Sequence, residues 1–252
     1  MGNDSKTVIF DDLQSAADYI IDCWSQTALS AVRLRGVFPV ALSGGKTPIV
    51  LYDRLCLSEK PFVWDKTHIF FADERFVPEN SPESTYHLVG HHLLSRAGIS
   101  PGNVHRVITR DVSLEDAART YDRELGDFFK DSVPRFDLIL LGVGADGHTA
   151  SLFPGTNDHR EVGRRAIPVI AGAVPPERIS LTLRVINNAR HVIMFAAGRS
   201  KAKIMQEVVE QRNAALPAAR VAPHAGELIF VLDAEAASLL KQTNTGNRRF
   251  DC

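Results

Sequence analysis

Cysteine is scarce in this chain of 252 residues: there are three, Cys23, Cys56 and Cys252, an odd count without a CxxC spacing. That pattern argues against a disulfide framework and a zinc finger, and it suits a reducing compartment, so a cytoplasmic location is expected. Excess charge of either sign is also missing. The 29 Lys and Arg nearly balance the 30 Asp and Glu, leaving a formal net charge of -1. No general attraction to nucleic acid or to an anionic membrane follows, although a local basic pocket stays open. No apolar run approaches the ~18 residues of a membrane span. The first residues, MGNDSKTVIFDD, lack the apolar core of a secretory signal, and their acids do not suit a mitochondrial presequence, so neither is expected. Internal repeats and low-complexity linkers are absent as well. One α/β domain over 1–252 is the economical reading, with a core over about 8–240 and a loose tail over 241–252.

What is present is enough apolar material, 44% of the residues, for a sizeable core. Apolar runs of strand length fall at 37–42, 68–72, 103–107, 136–141, 166–170, 178–183, 191–197 and 227–232. Between most of them, helical spacing recurs over 11–33, 48–58, 84–97, 114–130, 199–212 and 233–241. This alternation predicts a largely parallel sheet with helices on both faces. Open α/β sheets bind ligands beyond the carboxyl ends of their strands. Four polar clusters stand in such places: Ser43-Gly44-Gly45-Lys46-Thr47, Asp73-Glu74-Arg75, Gly142 to His148, and Gly198 to Lys201. A parallel sheet would gather all four on one edge.

Each cluster has its own chemistry. In the Ser43 turn, glycines let backbone N–H groups approach an anion, and the helix that follows, with Thr47 as cap and Pro48 suited to its first position, adds its dipole. The turn is not a Walker A loop, because Val40 stands where the first glycine should be. Ala41-Leu42-Ser43-Gly44-Gly45 approximates a nucleophile elbow, so a serine esterase built on Ser43 is one alternative. Arg75, in the Asp73-Glu74-Arg75 triplet, can hold an oxyanion bidentately or polarise a carbonyl. Gly142-Val143-Gly144-Ala145-Asp146-Gly147 matches GxGxxG, but Pro154-Gly155 stops any long helix, which opposes a dinucleotide site. The glycines instead present Asp146 and His148 on a sharp turn. A neutral imidazole is a suitable general base near pH 7, and a carboxylate beside it fixes its tautomer. Arg178 and Lys201 add cations at a strand start and a helix start. His87 and His91 lack the glutamate and third ligand of an HExxH site, so no metal is expected there, and Arg248-Arg249 reads as a solvated tail.

In this order and at these separations, the segments ALSGGKTPIVLYDRL, FFADERFVPENSPEST, FDLILLGVGADGHTASLFPG, PPERISLTLRVINNARHVIMFAAGRSKA and LPAARVAPHAGELIFVLD resemble the 6-phosphogluconolactonase family, a relative of the glucosamine-6-phosphate isomerase/deaminase group. The resemblance covers nearly all of 11–240. It implies a Rossmann-like α/β fold and hydrolysis of 6-phospho-D-glucono-1,5-lactone to 6-phosphogluconate in the oxidative pentose phosphate pathway, without metal or organic cofactor. It implies His148 as general base with Asp146 beside it. A phosphate would be cradled by Ser43, Gly44, Gly45 and Thr47 and paired with Lys201, while Arg75, Arg178 and Asp73 would line the substrate site. Two departures stand out: Lys46 replaces a common Ser, adding a cation to the turn, and Thr85 replaces a common Asn.

Two rivals remain. The deaminase branch carries a motif resembling DGHIAFNEP, whose Glu serves ring opening, whereas Ser151-Leu152-Phe153-Pro154 offers no carboxylate. A non-catalytic sugar-phosphate sensor is the other. The expected partner in every case is a small phosphorylated sugar or its lactone, bound by a monomer.

Overall fold

The computed structural model describes residues 5–130, 132–156 and 163–241. Apart from Lys241, the tail expected to be loose, with Arg248, Arg249 and Cys252, lies outside the described residues. The chain opens with β1 (Lys6–Phe10), α1 (Leu13–Arg35), β2 (Phe38–Leu42), α2 (Lys46–Leu57), β3 (Thr67–Phe71), β4 (Asp73–Arg75) and α3 (Thr85–Val89). It continues with α4 (Leu114–Phe128), β5 (Leu138–Leu141), β6 (Ala166–Ile170), β7 (Glu177–Leu181), α5 (Leu183–Ile186), β8 (His191–Ala196), α6 (Ala202–Val209) and β9 (Glu227–Asp233). Local signals set several boundaries. Asp12 caps α1 by accepting from the Ser15 N–H at 2.7 Å, and Gly36, at φ 81°, ends it in the left-handed conformation that glycine tolerates.

Six strands form one parallel sheet in the order β1-β9-β8-β5-β2-β3. Its faces follow from side-chain alternation. In β2, Phe38, Val40 and Leu42 join α1 and α2 in one core, while Ala41 belongs to the other, with α4 and α6. Every residue of β2 and β5 is buried, as central strands covered on both faces require. Burying each large aliphatic side chain contributes roughly 2 kcal/mol. Strand order reverses between β2 and β5, so the crevice expected at a topological switch point opens above these two strands.

The parallel sheet with helices on both faces is as the sequence pattern predicts, but the remaining strands differ. β4, β7 and β6 form a separate three-stranded antiparallel sheet. Ala72 joins the two sheets: its N–H bonds the Leu42 carbonyl at 2.8 Å, and its own carbonyl accepts from the Leu181 N–H at 2.8 Å. The strand expected over 103–107 is only a single bridge between Val104 and Ile69. The helix expected over 233–241 is instead a series of turns, opened by the Asp233 carboxylate, which accepts from the Ala236 and Gly198 N–H groups. Over 84–97 the helix runs as α3 and then widens into a π-helix at Gly90–Leu94. Among the described residues no helix is long and apolar enough to cross a membrane.

Candidate active site

A cleft of about 270 Å³ lies above the carboxyl ends of β2, β5 and β8, a size suited to a small ligand. Ser43, Gly44, Gly45, Lys46, Thr47, Asp73, Arg75, His148, Arg178 and Lys201 all line it. The four clusters are thus brought together. Asp146 is the exception among the sequence-predicted site residues: it does not line the cleft and meets it only through His148.

The His148 turn is built on glycine. Asp146 accepts from the His148 backbone N–H at 3.1 Å and lies 2.6 Å from Nδ1 of its ring. A carboxylate at that distance holds the proton on Nδ1 and leaves Nε2 as the lone-pair nitrogen. Burial pulls the Asp146 carboxyl upward, but the backbone N–H and the ring of His148 outweigh it, so it sits below the ordinary carboxylate range. The ring lies across Gly144 so closely that a Cβ there would stand 2.1 Å from Nδ1. Gly147, at φ 85°, closes the turn, and its carbonyl accepts from the Ala218 N–H at 3.0 Å. GxGxxG here is a seat for an imidazole.

Phe153 is not singled out by the sequence pattern, though it lies within the quoted glycine-histidine segment. Its ring centroid stands 4.6 Å from the His148 ring and 5.7 Å from the Arg178 guanidinium carbon on another element. A phenylalanine between Leu152 and Pro154 reads as one more apolar core residue, so only the packing reveals its place in the site. Two serines escape sequence reading for the same reason. Ser151 donates to Asp73 Oδ2 at 2.6 Å, and the Ser180 hydroxyl accepts from the Ser151 N–H at 3.2 Å.

The cations face one another. Arg75 and Arg178 are direct partners in the β4–β7 pairing. Arg75 Nη1 donates to the Glu83 carbonyl at 3.1 Å, while its buried Nε has no partner among the described residues. Arg178 Nε donates to the Pro175 carbonyl at 3.2 Å. Burial lowers the Arg178 proton affinity, Asp73 opposes that, and Arg75 reinforces it. Lys201 Nζ donates to the Val143 carbonyl at 2.7 Å, and burial lowers its pKa against the attraction of Asp146.

Glu74 does not join Asp73 and Arg75 at the cleft. It is buried and accepts from the backbone N–H groups of Arg75, Thr85 and Tyr86 at 2.7, 2.6 and 2.7 Å. This fastens the 84–86 segment beside the Ser43 turn. Thr85 is fully buried there, and a Cβ on Gly44 would stand 2.9 Å from its hydroxyl and 3.2 Å from Arg75 Nη1. Gly44 is therefore required for close approach. Thr47 does not cap α2 as expected: the helix starts two residues earlier, at Lys46, with Gly45 at φ 110° in the cap position and no side-chain cap. The Ser43 hydroxyl donates to the Leu140 carbonyl at 2.9 Å, tying the β2 and β5 strand ends together instead of facing a base.

Comparison with known proteins identifies the family and the fold. The family model for glucosamine-6-phosphate isomerases/6-phosphogluconolactonase matches residues 11–230. A 6-phosphogluconolactonase of Rattus norvegicus is 42% identical over 82% of each chain. The crystal structure of a 6-phosphogluconolactonase from Thermotoga maritima is 29% identical and superposes with a TM-score of 0.78, covering 90% of this chain and 100% of that one. A monomeric glucosamine-6-phosphate deaminase, at 19% identity and a TM-score of 0.76 over 93% of this chain and 99% of its own, shares the fold. From the match over most of its length, this chain belongs to the glucosamine-6-phosphate isomerase/6-phosphogluconolactonase family.

Proposed function

We infer that this chain hydrolyses 6-phospho-D-glucono-1,5-lactone to 6-phosphogluconate, the lactonase step of the pentose phosphate pathway. The observation that carries the reading is the Asp146–His148 pair, 2.6 Å apart, on a glycine turn at the edge of a cleft lined by four cations. His148 Nε2 takes a proton from water as the water oxygen bonds to C1, giving a tetrahedral oxyanion. When the oxyanion collapses, the bond from C1 to the ring oxygen breaks and the imidazolium returns its proton to that oxygen. Asp146 is a positioning residue, since it acts through the imidazole. Arg75, whose side chain lines the cleft, stabilises the oxyanion, a contribution of about 3 kcal/mol for a well-placed donor. Lys201, Lys46 and the backbone N–H groups of the Ser43 turn hold the phosphate, with Thr47, Arg178 and Asp73 completing the walls. Binding energy at the phosphate thereby fixes C1 against the base. Three unpatterned cysteines support a cytoplasmic enzyme.

A serine esterase is disfavoured because the Ser43 hydroxyl proton is committed to a carbonyl. The deaminase reading is disfavoured because Ser151-Leu152-Phe153-Pro154, the stretch where that branch carries Glu, offers no carboxylate, and Phe153 stands in the glutamate's place. The test is the rate at which 6-phosphogluconate appears from fresh lactone, against spontaneous hydrolysis. Acceleration, without labelling by an organophosphonate, is expected. Binding without acceleration would make the protein a sugar-phosphate sensor, and consumption of glucosamine 6-phosphate would make it a deaminase.

A further inference from the structure

One peptide unit stands between Lys201 and His148. The Val143 carbonyl accepts from Lys201 Nζ at 2.7 Å, and the Gly144 N–H of the same peptide donates to the His148 carbonyl at 2.8 Å. The His148 ring lies on the α-carbon that follows, with Nδ1 and Cε1 2.1 and 2.2 Å from where a Gly144 Cβ would be. A peptide is planar, so its two hydrogen bonds cannot turn independently. Tilting the carbonyl tilts the N–H and shifts the surface that supports the imidazole.

Lys201 is itself held from behind. Its backbone N–H donates to the Gly198 carbonyl at 2.9 Å, and the Gly198 N–H lies 3.0 and 2.9 Å from the two Asp233 carboxylate oxygens. Asp233 is buried at the end of β9. The lysine is thus a strut from a fixed strand end to the glycine turn. An ammonium has three N–H groups. With one on Val143, two remain for a ligand oxygen.

We propose that Lys201 is a positioning residue for His148 as well as a phosphate partner, its ammonium clamping the Val143–Gly144 peptide on which the imidazole rests. The proposal builds on His148 as the base. Phosphate affinity and turnover then share one side chain, so a change at position 201 reaches the chemistry even when substrate saturates the enzyme.

The test is Lys201→Met, which keeps the stem and removes the donor. The imidazole ¹⁵N resonances of His148, identified by their loss in His148→Gln, are recorded without ligand. Steady-state rates with the phosphorylated lactone follow. The expected result is displaced ring resonances in the free protein and a kcat lower by about ten- to a hundredfold, beyond any rise in KM. Ring resonances that coincide with those of the wild type overturn the proposal, whatever happens to KM, because a lysine that only binds phosphate leaves the free imidazole untouched. If the Met variant does not fold, Lys201→Ala is compared with and without ethylammonium. Return of the ring resonances with the added amine supports the clamp, and resonances insensitive to it overturn it. The spectra need no substrate, so absence of lactonase activity in the wild type would overturn the functional reading separately.

Discussion

The two edges of the six-stranded sheet treat charge in opposite ways. At the amino edge, charges answer one another. Asp137, just ahead of β5 and 1% exposed at its side chain, takes Arg35 at 2.6 Å and Arg190 at 3.0 Å. His68 in β3 bonds His105 at 3.0 Å, and His105 bonds Glu124 at 2.5 Å. At the carboxyl edge, Arg75, Arg178 and Lys201 each donate to a neutral backbone carbonyl, and among the described residues none of them is ion-paired. Arg75 and Arg178 even sit opposite each other across β4 and β7, an arrangement that disfavours folding. One edge is electrostatically complete within the fold. The other leaves three cations without an ionic partner among the described residues, as the proposed binding of a phosphorylated substrate requires. That asymmetry distinguishes a structural cluster from a proposed binding site when both are rich in charge.

The comparison breaks most visibly at His148. His148→Ala is expected to lower kcat by about 10²- to 10⁴-fold while leaving the melting temperature near that of the wild type. The ring is 31% exposed and fills no core position, so loss of turnover should come without loss of stability. A melting temperature that fell in step with activity would place His148 among the structural groups instead. Gly144→Ala should come next. The added Cβ would displace the imidazole, and a misplacement of about 1 Å can cost 10²-fold. Gly142→Ala is its control, since a Cβ there meets nothing within 4 Å, and a much smaller loss is expected.

At the opposite edge the same kind of substitution should move stability and spare turnover. Asp137→Ala leaves Arg35 and Arg190 facing each other without their carboxylate. Breaking a fully buried pair costs roughly 3–5 kcal/mol. Both arginines here are about a third exposed, so water recovers part of that and about 2 kcal/mol is expected. Thermal unfolding should show it as a drop of roughly 5 °C. The kcat per folded molecule should hold, and a loss there would mean that the two edges communicate.

Much of this contrast can be read without coordinates, because it rests on local chemistry. The runs at β2, β5, β8 and β9 are apolar, and the first three end in glycine turns, so the strands and the gathering of the clusters follow from short stretches of chain. What resists such reading depends on partners distant in sequence. β1, with only Val8 buried, becomes a strand because β9 offers it an edge. Asp73–Arg75 has no strand propensity and is drawn into a ladder by β7. Residues 233–241 have helical spacing, yet they form only turns, and the Asp233 carboxylate spans from the Ala236 N–H to the Gly198 N–H of a segment distant in sequence. In the site, Glu74 and Arg75 look equivalent within their triplet, but the fold sends one into the interior and the other to the cleft. Phe153 and the Val143 carbonyl acquire meaning only once His148, Arg178 and Lys201 surround them.

The smallest expected effect is also the one that reports most directly on the incomplete edge. Burial lowers the pKa of Lys201 in the free protein, with Asp146 holding it partly up. A phosphate beside the ammonium favours the charged form and raises that pKa again. Between the two values binding takes up a proton, so affinity for 6-phosphogluconate should fall as pH rises, beginning below the ordinary lysine value of about 10.4. Lys201→Arg keeps its charge throughout this range and should flatten the slope, even if its affinity is lower overall. Asp146→Asn should do the reverse. Without the carboxylate, the free lysine loses its proton at still lower pH, and the decline begins earlier. Calorimetric titration of 6-phosphogluconate across the alkaline range measures all three. A wild-type affinity as flat as that of the Arg variant would show that Lys201 does not meet the phosphate, and the anion that completes this edge would then have to be held by Lys46 and the two arginines.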